Sequence, residues 1–299
     1  MPLITHKNAW ARRAADLPRV ALPQHVLMAN PAAFTVEDVH NPFMADAYGN
    51  PLVVDFHLAQ QQWQDLRTAL ETQAGLQCAV LPAVAGLADL CFTANPSLAL
   101  PLPDGRTDIW MGRMTHASRG QEVSLHERFF QQLGFAPKHM PESVQNFEGH
   151  GDGILHPGRF LIHVGVGPRS CKAAWQHLAT IYPQLDLLLY ELNDPRFYHL
   201  DTALAALDEN TALFVPEAFH ADGLELLHAA FPNAIALSAQ EARNFAGNAF
   251  CPDKKHVFLQ SGNTQLEDQL RSLGFCPVAV ESSEFMKSGG SVFCLKMAY

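Results

Sequence analysis

The chain has 299 residues, 48% apolar and 17% charged, enough for a sizeable core and too little charge for wholesale disorder. Thirty acidic against twenty basic residues leave a net charge of −10, which argues against nucleic acid and against an anionic membrane surface as partners. Length alone suggests two domains of about 150 residues each.

The first residues carry basic side chains but no apolar stretch of signal-peptide length, and no later run reaches membrane-spanning length. From Pro51 an apolar strand, PLVVDF, leads into a helix over 58–73, then Gly75 and a second apolar run, CAVLP. The order recurs from Asp104 (a strand over 104–113, a helix over 124–135) and from Pro157 (158–166, then 170–182, then LDLLLYEL). It recurs again from Glu209 (211–219, then 222–231, then AIALS) and from Asp253 (254–261, then 264–275, then PVAVES). The helices carry apolar residues three and four apart, as in Trp175, Leu178 and Ile181 or Leu266, Leu270 and Leu273, while the strands are short and β-branched or aromatic. Five starts separated by about 44 to 54 residues indicate a repeat architecture whose units share one core. A generic α/β sandwich would give the same alternation.

The six cysteines (Cys78, Cys91, Cys171, Cys251, Cys276, Cys294) show no C-x-x-C pair and read as reduced thiols of a cytoplasmic protein. Between the units lie polar junctions over 86–97, 146–153, 193–204, 241–248 and 282–294. In a closed ring these junctions converge, bringing Asn95, Glu148, His199, Asp201 and Cys294 into one pocket. A thiolate that attacks, an imidazole that shuttles the proton and carboxylates that hold a cation form a coherent set. Each member also has a plainer reading. A lone cysteine is usually a small buried hydrophobe, though Gly289 and Gly290 suit a close backbone approach to a ligand just before Cys294. His199 beside Phe197 and Tyr198 suits a core histidine, but its spacing to Asp201 on a strand would put both on one face. Glu148 and Asp152 also suit a turn. His150, His156 and His163 invite a zinc site, yet no H-x-x-x-H or C-x-x-C pair lies there, and no metal or other cofactor is expected.

The set FEGHGD, YHLDTAL and GGSVFC, in that order, resembles the guanidino-group modifying superfamily of arginine deiminases, dimethylargininases, amidinotransferases and agmatine deiminases. The resemblance is nearest to the bacterial dimethylargininase-like branch with its arginine dihydrolases, through Phe92-Thr93-Ala94-Asn95, MANPAAFTVEDVHNPFM and SEFMKSGGSVFCLKM. It implies a single-domain α/β fold, the five-bladed pseudosymmetric propeller called a pentein, over 26–299, with 1–25 as an N-terminal extension. It also implies a small cationic guanidino substrate, and it is compatible with a homo-oligomer.

Carried over by position, the resemblance implies that Cys294 is the nucleophile and His199 the general acid and base, with Glu148 and Asp201 on the guanidinium nitrogens. Arg119 and Arg169 would bind the substrate α-carboxylate, Asp152 would order the pocket, and Asn95 stands where deiminases carry an aspartate. His150 departs from the acidic or small residue of relatives, so a polar contact near the substrate is expected to differ. Ser291 interrupts a glycine triplet, which is expected to narrow the approach to the thiol. An asparagine both donates and accepts, so Asn95 suits a citrulline-like product held for a second attack. The reaction expected is then arginine dihydrolysis, giving ornithine, ammonia and carbon dioxide. A dimethylargininase, an arginine deiminase or an amidinotransferase are the alternatives.

Overall fold

The computed structural model describes residues 3–37, 39–192 and 194–299; Met1, Pro2, Asp38 of the opening motif and Asn193 of the third junction lie outside the described residues. In chain order, the first module is β1 (His25–Ala29), α1 (Phe56–Gln73) and β2 (Gln77–Leu81). The second is β3 (Ser97–Pro101), β4 (Thr107–Met111), α2 (Gly120–Gln132) and β5 (Lys138–His139). A short helix, α3 (Gly149–Asp152), precedes the third, made of β6 (Gly153–Leu155), β7 (Leu161–Val166), α4 (Lys172–Ile181) and β8 (Asp186–Glu191). The fourth has β9 (Leu204–Ala206), β10 (Ala212–Phe214), α5 (Ala221–Ala230) and β11 (Ile235–Ala236), followed by the short α6 (Ala239–Arg243). The fifth has β12 (His256–Gln260), α7 (Thr264–Ser272) and β13 (Cys276–Val280); α8 (Ser283–Met286) and β14 (Met297–Ala298) end the chain.

Among the described residues these strands form five separate small sheets, and each pairs the strand before its long helix parallel to the strand after it. The parallel pairing follows from the helical crossover between them. In the second, third and fourth modules a short antiparallel strand (β3, β6, β9) is added in front. The sequence reading missed these strands because they lie inside or next to the polar junctions. The first module obtains its antiparallel strand from the far end of the chain, where β14 pairs with β1 through Val26↔Ala298 and Leu27↔Met297.

PLVVDF is not a strand. The strand of that module is β1, and Asp55 instead accepts a hydrogen bond from Leu58 N at 3.0 Å and caps α1. The segment between β1 and α1 is therefore a long insertion, and it reaches the site described below. The expected helix faces hold at their centres, where Trp175, Leu178, Leu266 and Leu270 are buried. Ile181 and Leu273 are exposed at or just past the last turn.

The N-terminal stretch docks along β8. Ile4 exchanges backbone hydrogen bonds with Leu187 and Leu189, Trp10 donates its indole N–H to Asp186 at 2.8 Å, and Trp10 and Leu17 are buried. No described helix is long and apolar enough to cross a membrane. All six cysteines are unpaired thiols.

Candidate active site

Cys294 and Asn95 sit on neighbouring backbone, since Ala94 N donates to Cys294 O at 3.2 Å and His150 N donates to Ala94 O at 2.9 Å. The junctions after β2, β5, β8, α6 and α8 thus meet around one small cavity. Asn95, Arg119, Arg169, His199 and Cys294 line it, together with Asp89, Phe92, Tyr198 and Gly290. Its volume is about 30 Å³, room for a water or two and not for an arginine. The insertion between β1 and α1 supplies the cover through His40, Asn41 and Met44. Asn41 Nδ2 donates to Ser288 O at 3.0 Å, and the His40 ring stacks on His116 at 4.0 Å.

Glu148, Asp201 and Asp152 stand behind this wall. His199 Nε2 meets Glu148 Oε2 at 2.8 Å, and because a carboxylate only accepts, that nitrogen carries the proton. Glu148 Oε2 also faces Arg169 Nη1 at 3.4 Å, and Oε1 accepts from Thr115 N at 2.9 Å. Burial opposes its charge, but His199 and the two arginines outweigh burial and hold its carboxyl well below the usual range. Oε2 is thus committed to His199 and Arg169, while Oε1 keeps one acceptor direction beyond the Thr115 bond.

The Cys294 thiol donates to Asp201 Oδ2 at 3.2 Å, while Oδ1 of Asp201 is buried without a partner among the described residues. Burial pushes the thiol well above its ordinary range, and the neighbouring carboxylate adds to this. Burial pushes Asp201 up to about 7. His199 and Asp201 do not share a strand face. Asp201 belongs to a single 3-10 turn, Leu200–Thr202, with His199 as its N-cap, and the tight turn sends one side chain to Glu148 and the other to the thiol. Asp152 orders this turn by accepting from Leu200 N at 3.1 Å; burial raises its carboxyl to about 6.

Arg119 is buried in a cage made by Glu122 (Nη2 to Oε2, 2.7 Å), the carbonyls of Asp89 and Phe92, and Asn95 Oδ1 at 2.8 Å. Arg169 is less committed: it faces Glu148 and lies over the Tyr198 ring at 5.1 Å. An arginine only donates, so the Asn95 oxygen must face Arg119. Its amide NH₂ is left buried without a partner among the described residues. A Cβ at residue 151 would stand 2.5 Å from that nitrogen and 3.1 Å from the His199 ring, which is why glycine is needed there.

Two expectations are corrected. His150 makes no contact in the cavity; its Nε2 accepts from Ala99 N at 3.2 Å and its Nδ1 donates to Gly153 O at 3.1 Å, a neutral structural histidine. The Ser291 hydroxyl bonds to that of Ser282 at 2.7 Å and so turns away from the thiol. Gly290 lines the cavity, and the Phe92 ring, 2.5 Å from where its Cβ would be, leaves room only for glycine. Among the described residues no group of three His, Cys, Asp or Glu side chains is arranged to hold a metal ion.

Over 96% of the chain and 89% of the relative, the sequence is 32% identical to an N(G),N(G)-dimethylarginine dimethylaminohydrolase of Mycobacterium tuberculosis. The chain belongs to the dimethylargininase-like family of guanidino-group hydrolases. An uncharacterized protein of Caenorhabditis elegans is 34% identical over 91% of this chain and 92% of its own. The bifunctional arginine dihydrolase/ornithine cyclodeaminase AgrE of a Nostoc species is 31% identical, with 37% of its length covered. No model of a protein family matches. Among solved structures, the substrate-bound N-terminal domain of the cyanobacterial arginine dihydrolase ArgZ superposes with a TM-score of 0.83 at 26% identity, covering 92% of this chain and 97% of that one.

Asn248 escaped the sequence reading. Asn248 Oδ1 accepts from the backbone N–H groups of Ser291, Phe293 and Cys294 at 3.1, 3.0 and 3.3 Å. Its Nδ2 donates to Asp201 O at 2.8 Å and to Cys294 Sγ at 3.2 Å. It closes the junction EARNFAGN, so its place between two modules was the available signal.

Proposed function

We propose that the protein is an arginine dihydrolase, converting arginine and two waters to ornithine, two ammonia and carbon dioxide. One observation carries this reading: the unpartnered amide NH₂ of Asn95 at the cavity wall. A guanidinium has only donors and cannot satisfy it. A ureido oxygen is an acceptor and can, so the wall matches a citrulline-like intermediate held for a second hydrolysis.

In this reading Cys294 is the nucleophile, and its thiol is protonated in the empty site. The incoming guanidinium pairs with Asp201, whose Oδ1 is free, and its positive charge draws the thiol toward thiolate. His199, held through Nε2 by Glu148, takes the thiol proton on Nδ1. Sulfur attacks the guanidinium carbon, and His199 returns that proton to the departing nitrogen, releasing ammonia and leaving a thiouronium. Water, deprotonated by His199, then attacks the same carbon and frees the thiol. Asn95 holds the resulting ureido group for the next round. Arg169 meets the α-carboxylate; Arg119 acts through Asn95 and Glu122, and Asp152 keeps the 199–201 turn in place. The five sheets are taken as blades of a pentein propeller, supported by the recurring module order and by β14 completing the first sheet. Unpaired thiols support a cytoplasmic setting.

Hydrolysis of methylated arginine to citrulline is the second reading, favoured by the Mycobacterium tuberculosis relative. Incubation with arginine, methylated arginines, agmatine, guanidinoacetate and citrulline, with products identified by mass, separates the two. Ornithine from both arginine and citrulline is expected, and Cys294→Ser abolishes it. Citrulline as the sole end product overturns the dihydrolase reading, and turnover only with an added amine acceptor would make the enzyme a transferase.

A further inference from the structure

Lys296 lies two residues beyond Cys294 and is 1% exposed. Its Nζ stands 3.1 Å from the centre of the Phe293 ring and 4.2 Å from that of Phe250, and it makes no hydrogen bond to any described residue. Aromatic faces return about 2 kcal/mol to a desolvated ammonium, less than its burial costs. The reaction scheme above makes no use of it. On one side Lys296 borders an apolar cavity of about 70 Å³ lined by Pro101, Ile154, Phe250, Pro252 and Phe293; on the other its field acts on Asp201 and Cys294.

Few other titratable groups face this pair. Glu148, ahead of α3, places a negative charge near Asp201, and His150 of α3 faces Lys296. Tyr198 faces both Asp201 and the thiol. His150 is neutral by its hydrogen bonds, and burial pushes the Tyr198 phenol well above its ordinary range, so neither supplies a positive charge.

We propose that Lys296 is a positioning residue that acts through charge, keeping Asp201 ionised from behind in the empty site so that the carboxylate is ready for the substrate's guanidinium. The geometry is a buried ammonium with no hydrogen bond among the described residues, packed on Phe293 and two residues beyond the thiol that donates to Asp201 at 3.2 Å. Burial pushes Asp201 up to about 7 and Lys296 down to about 7, so each changes charge near neutrality and each favours the charged form of the other. Without Lys296 the Asp201 carboxylate takes up a proton at higher pH, and capture of the cation weakens on the acid side.

The inference rests on the guanidino-hydrolase reading, and the test separates the two. In Lys296→Met, the acid limb of kcat/KM for arginine, measured from about pH 5.5 to 9.5, is expected to move up by about one unit, a tenfold loss below the midpoint. The loss lies in KM, and kcat at alkaline pH is retained. Lys296→Arg keeps the charge, the adjoining cavity has room for the larger head group, and the midpoint stays in place. A loss uniform across pH, or an unmoved acid limb in Lys296→Met, overturns the proposal. Lys296→Gln replaces the Met variant should that fail to fold. If neither folds, a raised midpoint in Lys296→Arg is the overturning result and an unraised one supports the proposal. Alkylation of Cys294 by iodoacetamide reads the same field without substrate. If arginine is not turned over at all, the function reading fails, while an upward shift of the alkylation midpoint in Lys296→Met still supports the charge role and an unmoved one rejects it.

Discussion

Arg119 donates to Asn95 Oδ1 at 2.8 Å and so determines which end of the amide faces the cavity. The donor end is presented because a guanidinium has claimed the acceptor end. Asn95→Asp removes that donor and pairs a carboxylate with Arg119. Citrulline is expected to accumulate over ornithine by tenfold or more, on the order of 1.4 kcal/mol in partitioning. An unchanged product ratio by mass spectrometry would reject the role given to the amide.

Asn248→Ala strips three backbone N–H groups of the 291–294 loop of a side-chain acceptor, though Phe293 N keeps a second bond to Asn248 O. Leaving buried donors unsatisfied costs about 1–3 kcal/mol each. A loss of about 2–4 kcal/mol in urea unfolding is expected, along with a drop in kcat beyond what unfolding explains. A variant as stable and as active as the parent removes Asn248 from the account.

The two thiols Cys294 and Cys171 should separate by pH. Burial raises Cys294 well above the ordinary thiol range. At Cys171 burial also opposes ionisation, but backbone groups at Asn146 and Gln145 and at Ala173 and Ala174 of α4 outweigh it and lower the thiol. With no substrate, iodoacetamide near pH 7 should label Cys171 first, as peptide mapping would read. Faster labelling of Cys294 would mean that the empty site already holds a thiolate.

Asp152 is the place for a stability test with a defined sign. Its folded carboxyl, at about 6, lies above the unfolded value of about 3.9, so the folded state binds the proton more tightly. The stability this contributes is full below about pH 3.9 and is lost as pH rises through about 6. Asn keeps the oxygen that accepts from Leu200 N and carries no charge. Asp152→Asn should therefore gain about 1–3 kcal/mol at pH 8 and match the parent near pH 4 in urea unfolding. An equal gain at both values would point to packing rather than charge.

Much of this was legible in the sequence for a physical reason. Helix periodicity at Trp175, Leu178, Leu266 and Leu270 reports a buried face wherever the chain is long enough to show it. The junctions carried Asn95, Glu148, His199, Asp201 and Cys294 because polar residues between apolar elements have few other places to converge. Direction was not legible. Residue types do not say that both Glu148 oxygens are engaged, that His150 turns to Ala99 and Gly153, or that a 3-10 turn divides His199 from Asp201. PLVVDF misled because an alternating apolar run ending in a helix cap reads locally as a strand, and its true pairing partner lay elsewhere. Lys296 passed unnoticed since a single lysine usually lies on the surface.

The pairing of Val26 with Ala298 bears on when the site can exist. Almost the whole chain separates these two residues, so the loop closed by this pairing is entropically the most demanding in the sheet set. Cys294 lies just ahead of β14, which completes the first sheet. The first sheet stays open at one edge until β14 pairs with β1. The segment that carries the Cys294 thiol is therefore anchored by the same long-range pairing that finishes the first sheet, so loss of that pairing loosens the cavity wall and the sheet together.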